Sequence, residues 1–267
     1  MDNIKHNMAL MLVDDMVADD KTHFTFDEAR QRIGRSASAT ANLLHRMVRN
    51  GLVDRVRRGH YVIRRLGVLG TRAAAEDLAM VVASAFSGYP HRMAYRTALD
   101  EHDLIVHPVR TIYVASTRRM RVKDLSGRPL RTVYESETAI RIGAVAQGQS
   151  WISDIERSLL DAAARPDLVG GAAVLAEAIA VAGTRIDLNK LNQHAKRLGW
   201  EAALRRIGSV ADALEVEGLS GQLAPLRSPV ADLDLEPSSG MTTVWRDSRW
   251  RVRWAQSPVE LANVVRQ

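Results

Sequence analysis

The chain has 267 residues, 46% of them apolar and 25% charged, a net charge of +6 and no cysteine. That length allows more than one domain, and the missing cysteines exclude disulfides, thiolate zinc sites and thiol nucleophiles. The longest apolar stretches, Leu78–Phe86 and Ala172–Ala182, are too short to span a bilayer. The polar, acidic start Met1-Asp2-Asn3 is unlike a signal peptide, so a cytoplasmic protein without a membrane partner is expected.

Met8, Leu12 and Met16, with Met11 and Val13, recur at helical spacing and predict a first helix over 3–18. Thr25-Phe26-Asp27-Glu28 has the form of a capping box, with Thr25 accepting from the Glu28 amide while Glu28 reaches back. It opens a short helix with Phe26, Ala29 and Ile33 inward, ended by Gly34. Ser36 then caps a third helix that runs to Asn50 and is closed by Gly51. Two short helices separated by Gly34-Arg35-Ser36 have a helix-turn-helix layout. In the third helix Thr40, Leu44, Met47 and Val48, with Ala37, project to one side, and Ser38, Asn42, His45, Arg46 and Arg49 to the other. A helix that reads a major groove needs this division between an apolar face and a face of donors.

After Gly51 the hydrophobic period falls to two. Leu52–Val56 reads as a strand, Arg57-Arg58-Gly59 as a tight turn and His60–Ile63 as the returning strand. This is a β-hairpin wing with two arginines at its tip. The charge concentrates in the same stretch: residues 21–66 hold eleven basic and three acidic residues, +8, whereas residues 1–20 sum to −4 and the remaining 201 to +2. Local excess of this kind is an electrostatic footprint for nucleic acid. Residues 1–66 are therefore expected to form a winged helix-turn-helix domain for double-stranded DNA. Its expected contacts are Arg35, Ser36, Ser38, Asn42, His45, Arg46 and Arg49, with Arg57 and Arg58 on the wing.

Gly67–Ala73 reads as a connector to a larger mixed α+β domain over 74–267. Helices are predicted over Ala74–Ser87 and around Met93–His102. Strands follow at Thr111–Ser116, Met120–Asp124 and Pro129–Glu135, with a turn at Leu125–Arg128 and a further strand at Ile140–Ala144. Ser153-Asp154-Ile155-Glu156 is a second capping box that opens Asp154–Ala164, which Pro166 stops. Helices over 171–182, 187–198, 200–206 and 209–217 come next. A Pro/Ser-rich stretch, Pro225 to Gly240, leads to Val244-Trp245 and a strand at Trp250–Trp254. Strands and helices segregate, so the fold class is α+β, a winged helix-turn-helix domain followed by a larger mixed domain.

Little in this second part points to chemistry. There is no Gly-rich phosphate loop. His91, His102 and His107 lack the spacing of metal ligands, and Ser153, Asp161 and His194 are a conceivable triad in which Ser153 is better explained as a helix cap. Asp161 and Asp167 are conceivable paired acids, and Gly170-Gly171 reads as a turn. No cofactor, no metal and no enzymatic activity are expected.

The order of features resembles the AbiEi-type antitoxins, transcriptional repressors of bacterial abortive-infection toxin–antitoxin systems. The resemblance runs through Ala29–Gly34, Ala41–Val53 and Arg58–Val62. It continues in Ala94–Leu99 with His102-Asp103-Leu104, in Trp151–Asp161, in Arg165-Pro166-Asp167 with Gly170-Gly171, in Arg205–Gly208 and in Trp250–Trp254. Asp103 stands where that pattern has glycine, and Trp254 where asparagine is common. The resemblance implies an autoregulatory repressor that binds inverted repeats in its own promoter. It also implies a C-terminal domain that neutralises a nucleotidyltransferase-like toxin of a type IV system, directly or indirectly. Two other readings of the residues stay open. One is a ligand-responsive winged-helix regulator with a metabolite-sensing C-terminal domain; the other is a nucleic-acid enzyme targeted by the winged helix.

Overall fold

The computed structural model describes residues 2–19, 21–63, 78–120, 124–125, 127–226, 228, 231–237 and 242–265, without the side chains of residues 2–7 and 57. The connector 67–73, the start of the 74–87 helix and most of the 120–124 strand lie outside the described residues. The chain divides into two compact units, one of Met1–Tyr89 with Met120–Pro129 and Gly148–Ser150, the other of the remainder.

In the first unit, α1 (Asp2–Ala18), β1 (His23–Thr25), α2 (Phe26–Ile33), α3 (Ala37–Arg49), β2 (Val53–Arg57), β3 (His60–Ile63) and α4 (Leu78–Ala85) follow in order. The strands form an antiparallel sheet, β1-β3-β2. Ala9, Leu12, Val13 and Met16 of α1 bury against Ala29, Leu43, Leu44 and Met47, and Phe24, Val53, Tyr61 and Ile63 close the core from the sheet. Phe24 stacks on Tyr61 with ring centroids 5.6 Å apart. Side chains alternate across a strand, so Val62 turns away from this core to the other face of the sheet, where α4 packs. Strand β1 is invisible to periodicity because Thr25 both ends it and caps α2. Ala37 is exposed, and Leu43 takes the inward place expected of it, because the buried stripe of α3 begins one turn later at Thr40.

The second unit opens with β4 (His91–Met93), so the predicted 93–102 helix begins only at α5 (Tyr95–Glu101). β5 (Ile112–Ser116), β6 (Asp124–Leu125) and β7 (Arg128–Tyr134) follow. β6 pairs with Arg128 and Pro129 in the excursion that counts with the first unit. The predicted strand at 140–144 is instead α6 (Glu137–Arg141), capped by Ser136, with β8 (Ala144–Gln147) after it. β9 (Ser150–Ser153) completes a mixed sheet ordered β7-β5-β4-β9-β8, in which β5 runs parallel to β7 and antiparallel to β4.

Among the described residues five α-helices pack beside it or follow it: α7 (Ile155–Ala164), α8 (Ala172–Ala182), α9 (Leu188–Leu198), α10 (Glu201–Ala213) and, after the small sheet of β10 (Leu233–Asp234), β11 (Trp245–Asp247) and β12 (Val252–Trp254), α11 (Pro258–Val265), with a short 3-10 turn at Pro166–Leu168. Leu159, Leu160, Leu175, Ile179, Leu191, Leu204, Ile207, Trp250 and Trp254 centre the core. The helices expected at 200–206 and 209–217 are one helix, because Gly208 is not a break. A Cβ there would lie 2.1 Å from Cζ2 of Trp250, so the residue is small to admit the indole. Asp103, which stands where the AbiEi pattern has glycine, holds φ +54, a left-handed conformation that Asp tolerates better than most side chains.

Candidate nucleic-acid interface

The interface is built from the capped starts of α2 and α3. Thr25 Oγ1 accepts from the Glu28 amide at 3.2 Å, and Glu28 Oε2 accepts from the Thr25 amide at 2.8 Å. The Lys21 ammonium at 2.9 Å, with the Thr25 amide, holds the Glu28 carboxyl down at about 2. The first amide of α2, Phe26 N, donates to Gly59 O at 2.7 Å and so ties the hairpin turn to the helix. Gly59 takes φ +78 there, which a side chain would strain. Gly34 ends α2 at φ +64, and two residues later Ser36 Oγ accepts from the Ala39 amide at 3.3 Å to start α3.

These anchors leave α3 with two faces. Thr40, Leu43, Leu44 and Met47 are buried, while Ser38, Asn42, His45 and Arg49 are exposed and Arg46 is half-buried. From Ser38 to Arg49 the exposed face runs about 16 Å along the helix, roughly five base-pair rises of B-form DNA. Between α3 and the hairpin lies a cleft of about 870 Å³. Ala41, Asn42, His45 and Val48 form one wall, Arg55, Arg58, Gly59 and Tyr61 the other, with Phe26 between them.

The structure thus brings Asn42, His45 and Arg58 of the expected contacts together in one cleft. Arg35, Ser36 and Ser38 are exposed at the start of α3, outside it, and Arg49 at the far end. The side chain of Arg57 lies outside the described residues. Ser36 spends its hydroxyl on the cap, and Ser38 Oγ is 3.2 Å from it. Arg55 is the residue that sequence reasoning missed. It shares a strand face with Val53, which is buried in the core, so the alternation along the strand turns Arg55 to the same side.

Charge is distributed to match. Lys21 pairs with Glu28 and Arg32 with Asp19, both off this face. Among the described residues, Arg35, Arg46, Arg49, Arg55 and Arg58 have no carboxylate partner. Unpaired cations on a concave face attract an anion and gain most from one whose charges repeat.

The candidate chemistry of the second unit resolves into structure. Ser153 is the last residue of β9, and the cap of α7 is Asp154, which accepts from the Arg157 amide at 2.7 Å. Ser153 Oγ lies 3.0 Å from Asp161 Oδ2, but His194 Nε2 bonds Asp154 at 3.0 Å, so Ser153, Asp161 and His194 do not form a relay. Asp161 is fully buried between Arg92 and Arg157, at 2.7 Å from each. Burial alone would raise its carboxyl, but the two guanidinium groups hold it below the ordinary value. Glu135 accepts from both arginines and from the Tyr95 hydroxyl, so two buried cations meet two carboxylates.

Asp167 is exposed and pairs with Arg165 at 2.8 Å, far from any role as a partner acid of Asp161. His102 Nε2 is 2.6 Å from Ser153 O, and burial pushes His91 down to about 4. Among the described residues no group of three or more histidines and carboxylates is placed to hold a metal. None of the described helices is long and apolar enough to cross a membrane. Gly170 and Gly171 take φ +111 and +93 beside Arg96 and Glu236, and Glu236 accepts from the first amide of α8.

Comparison with known proteins gives three findings. No curated protein matches the chain. The crystal structure of the RV2827C protein from Mycobacterium tuberculosis is similar in fold, with a TM-score of 0.68 and 15% identity over 98% of this chain and 95% of that one. Residues 14–64, which run from α1 through the hairpin, match the family of transcriptional regulators described as AbiEi antitoxins.

Proposed function

We propose that the first unit carries a winged helix-turn-helix DNA-binding domain and that the protein is an autoregulatory repressor and antitoxin. In this reading α2 and α3 are the helix-turn-helix, α3 is the reading helix and the β2–β3 hairpin is the wing. The observation that carries it is the unpaired arginine face shared by α3 and the hairpin, on a segment matched to a family of regulators. Arg46 and Asn42 would face base edges, Arg35, Ser36, Ser38 and Arg49 would flank them, and Arg57 and Arg58 would reach backbone or minor groove. The domain extends over 1–66, and 74–267 supplies the antitoxin function toward a nucleotidyltransferase-like toxin. The protein works in the cytoplasm and turns over no substrate.

Fluorescence anisotropy with a duplex from the gene's own upstream region, against a scrambled duplex of equal composition, tests the regulatory half. Tighter binding to the upstream duplex by about a thousandfold or more is expected of a specific site; equal affinity for both duplexes would remove the repressor reading. Co-expression with a nucleotidyltransferase-like toxin, if the neighbouring reading frame encodes one, scored by relief of growth arrest, tests the antitoxin half.

A further inference from the structure

Arg46 and Arg49 lie outside the cleft between α3 and the hairpin, and Asn42 shares its α3 wall with His45. His45 stands on the α3 wall, opposite Arg55 and Arg58 on the hairpin, and α2 contributes Phe26 and no charge. The other charged groups of α3, Arg46 and Arg49, are not in the lining and are cations too. His45, Arg55 and Arg58 are exposed, and no carboxylate partners them among the described residues. A phosphodiester seated between helix and hairpin would meet an imidazole on one wall and two guanidinium groups on the other, and an anion beside an imidazole favours its protonated form.

We propose that this cleft seats a backbone phosphate of duplex DNA between His45 and the two hairpin arginines Arg55 and Arg58, and that binding takes up a proton at His45. The proposal rests on the DNA-binding reading above and adds to it a positioning residue, Arg55, and a pH dependence. The phosphate favours the imidazolium in the complex, so the affinity gained is present at acidic pH and is lost as pH rises. Arg55 fixes register and carries no sequence information.

The test uses the full chain and the upstream and scrambled duplexes, with anisotropy titrations over a salt series and from about pH 6 to about pH 8. Wild type is expected to bind both duplexes about three- to tenfold more tightly at the acidic end. Arg55→Ala should lower the slope of log K against log salt by about 1 on both duplexes, and Arg55→Lys should restore it. His45→Gln should flatten the pH profile and leave the preference for the upstream duplex intact. Wild type that binds neither duplex overturns the DNA-binding reading and this proposal with it. Wild type that binds, with variants that share its salt slope and pH profile, overturns the phosphate seat alone. Equal affinity for the single strand overturns it as well, because a seat between helix and hairpin needs a duplex to hold both. Both side chains are exposed, and unchanged thermal melts show that the variants keep the fold.

Discussion

Arg46, Arg49, Arg55 and Arg58 of the first unit have no carboxylate beside them among the described residues, whereas Arg92 and Arg157 of the second, fully buried, each bond both Glu135 and Asp161. The same side chain therefore does two unlike jobs. A guanidinium taken out of water must be matched by carboxylates and hydrogen bonds, because an uncompensated buried charge costs several kcal/mol. At a solvated face cations remain unmatched at little cost and keep their field for a ligand. Arginine content cannot separate these cases; the presence or absence of a nearby acid does.

Removing an acid from the buried cluster tests the contrast most severely. Asp161→Ala leaves Arg92 and Arg157 short of one of their two carboxylates, and urea unfolding of the second unit should lose about 3–5 kcal/mol. A loss under about 1 kcal/mol would mean that the cluster is solvated and the contrast void. Gly208→Ala, a change of one methyl on the same unit, drives a Cβ into the Trp250 ring and should cost about 3 kcal/mol in the same assay.

On the exposed face the effects move from folding to binding. Arg46→Ala should leave the melting temperature unchanged and cost about 1–3 kcal/mol on the upstream duplex, with a smaller loss on the scrambled one. Arg58→Ala should weaken both duplexes alike and flatten the salt slope by about 1. Equal losses from both variants on both duplexes would erase the division between reading helix and wing.

The smallest effect sharpens the comparison from the paired side of the first unit. Glu28 holds its carboxyl at about 2, against an ordinary 4.5, through Lys21 and the Thr25 amide. A lowered carboxyl stabilises the fold above its unfolded value and loses that contribution as pH falls. Glu28→Gln should therefore destabilise by about 0.5–1 kcal/mol at neutral pH, after allowance for solvent screening of a partly exposed pair. The gap should close between about pH 4.5 and about pH 2, read by thermal melts in an acid series.

Local rules made the first unit readable. The capping box, the stop at Gly34, the cap at Ser36 and the change of period after Gly51 each act within four residues, and α2, α3 and the hairpin stand where those signals put them. Ala37 was misread because periodicity gives the direction of a face and not where burial begins. In the second unit Ser153 and Asp154 compete for one cap. The choice is made by Arg92 and Asp161, from 61 and 8 residues away, which engage the Ser153 hydroxyl and leave the cap to Asp154. β4 and β9 are three and four residues long and owe their existence to neighbouring strands. Half of the cleft was legible for a similar reason: α3 declares its outer face, but Arg55 joins His45 only when the hairpin folds back.

The indole of Trp250 fills the space that Gly208 leaves open, though 42 positions separate them in the chain. Neither can drift alone. In relatives with this fold, a larger residue at the glycine position should appear together with a smaller ring or an aliphatic chain at the tryptophan position. That correlated pair would show up in a sequence alignment even where overall identity is too low to align much else.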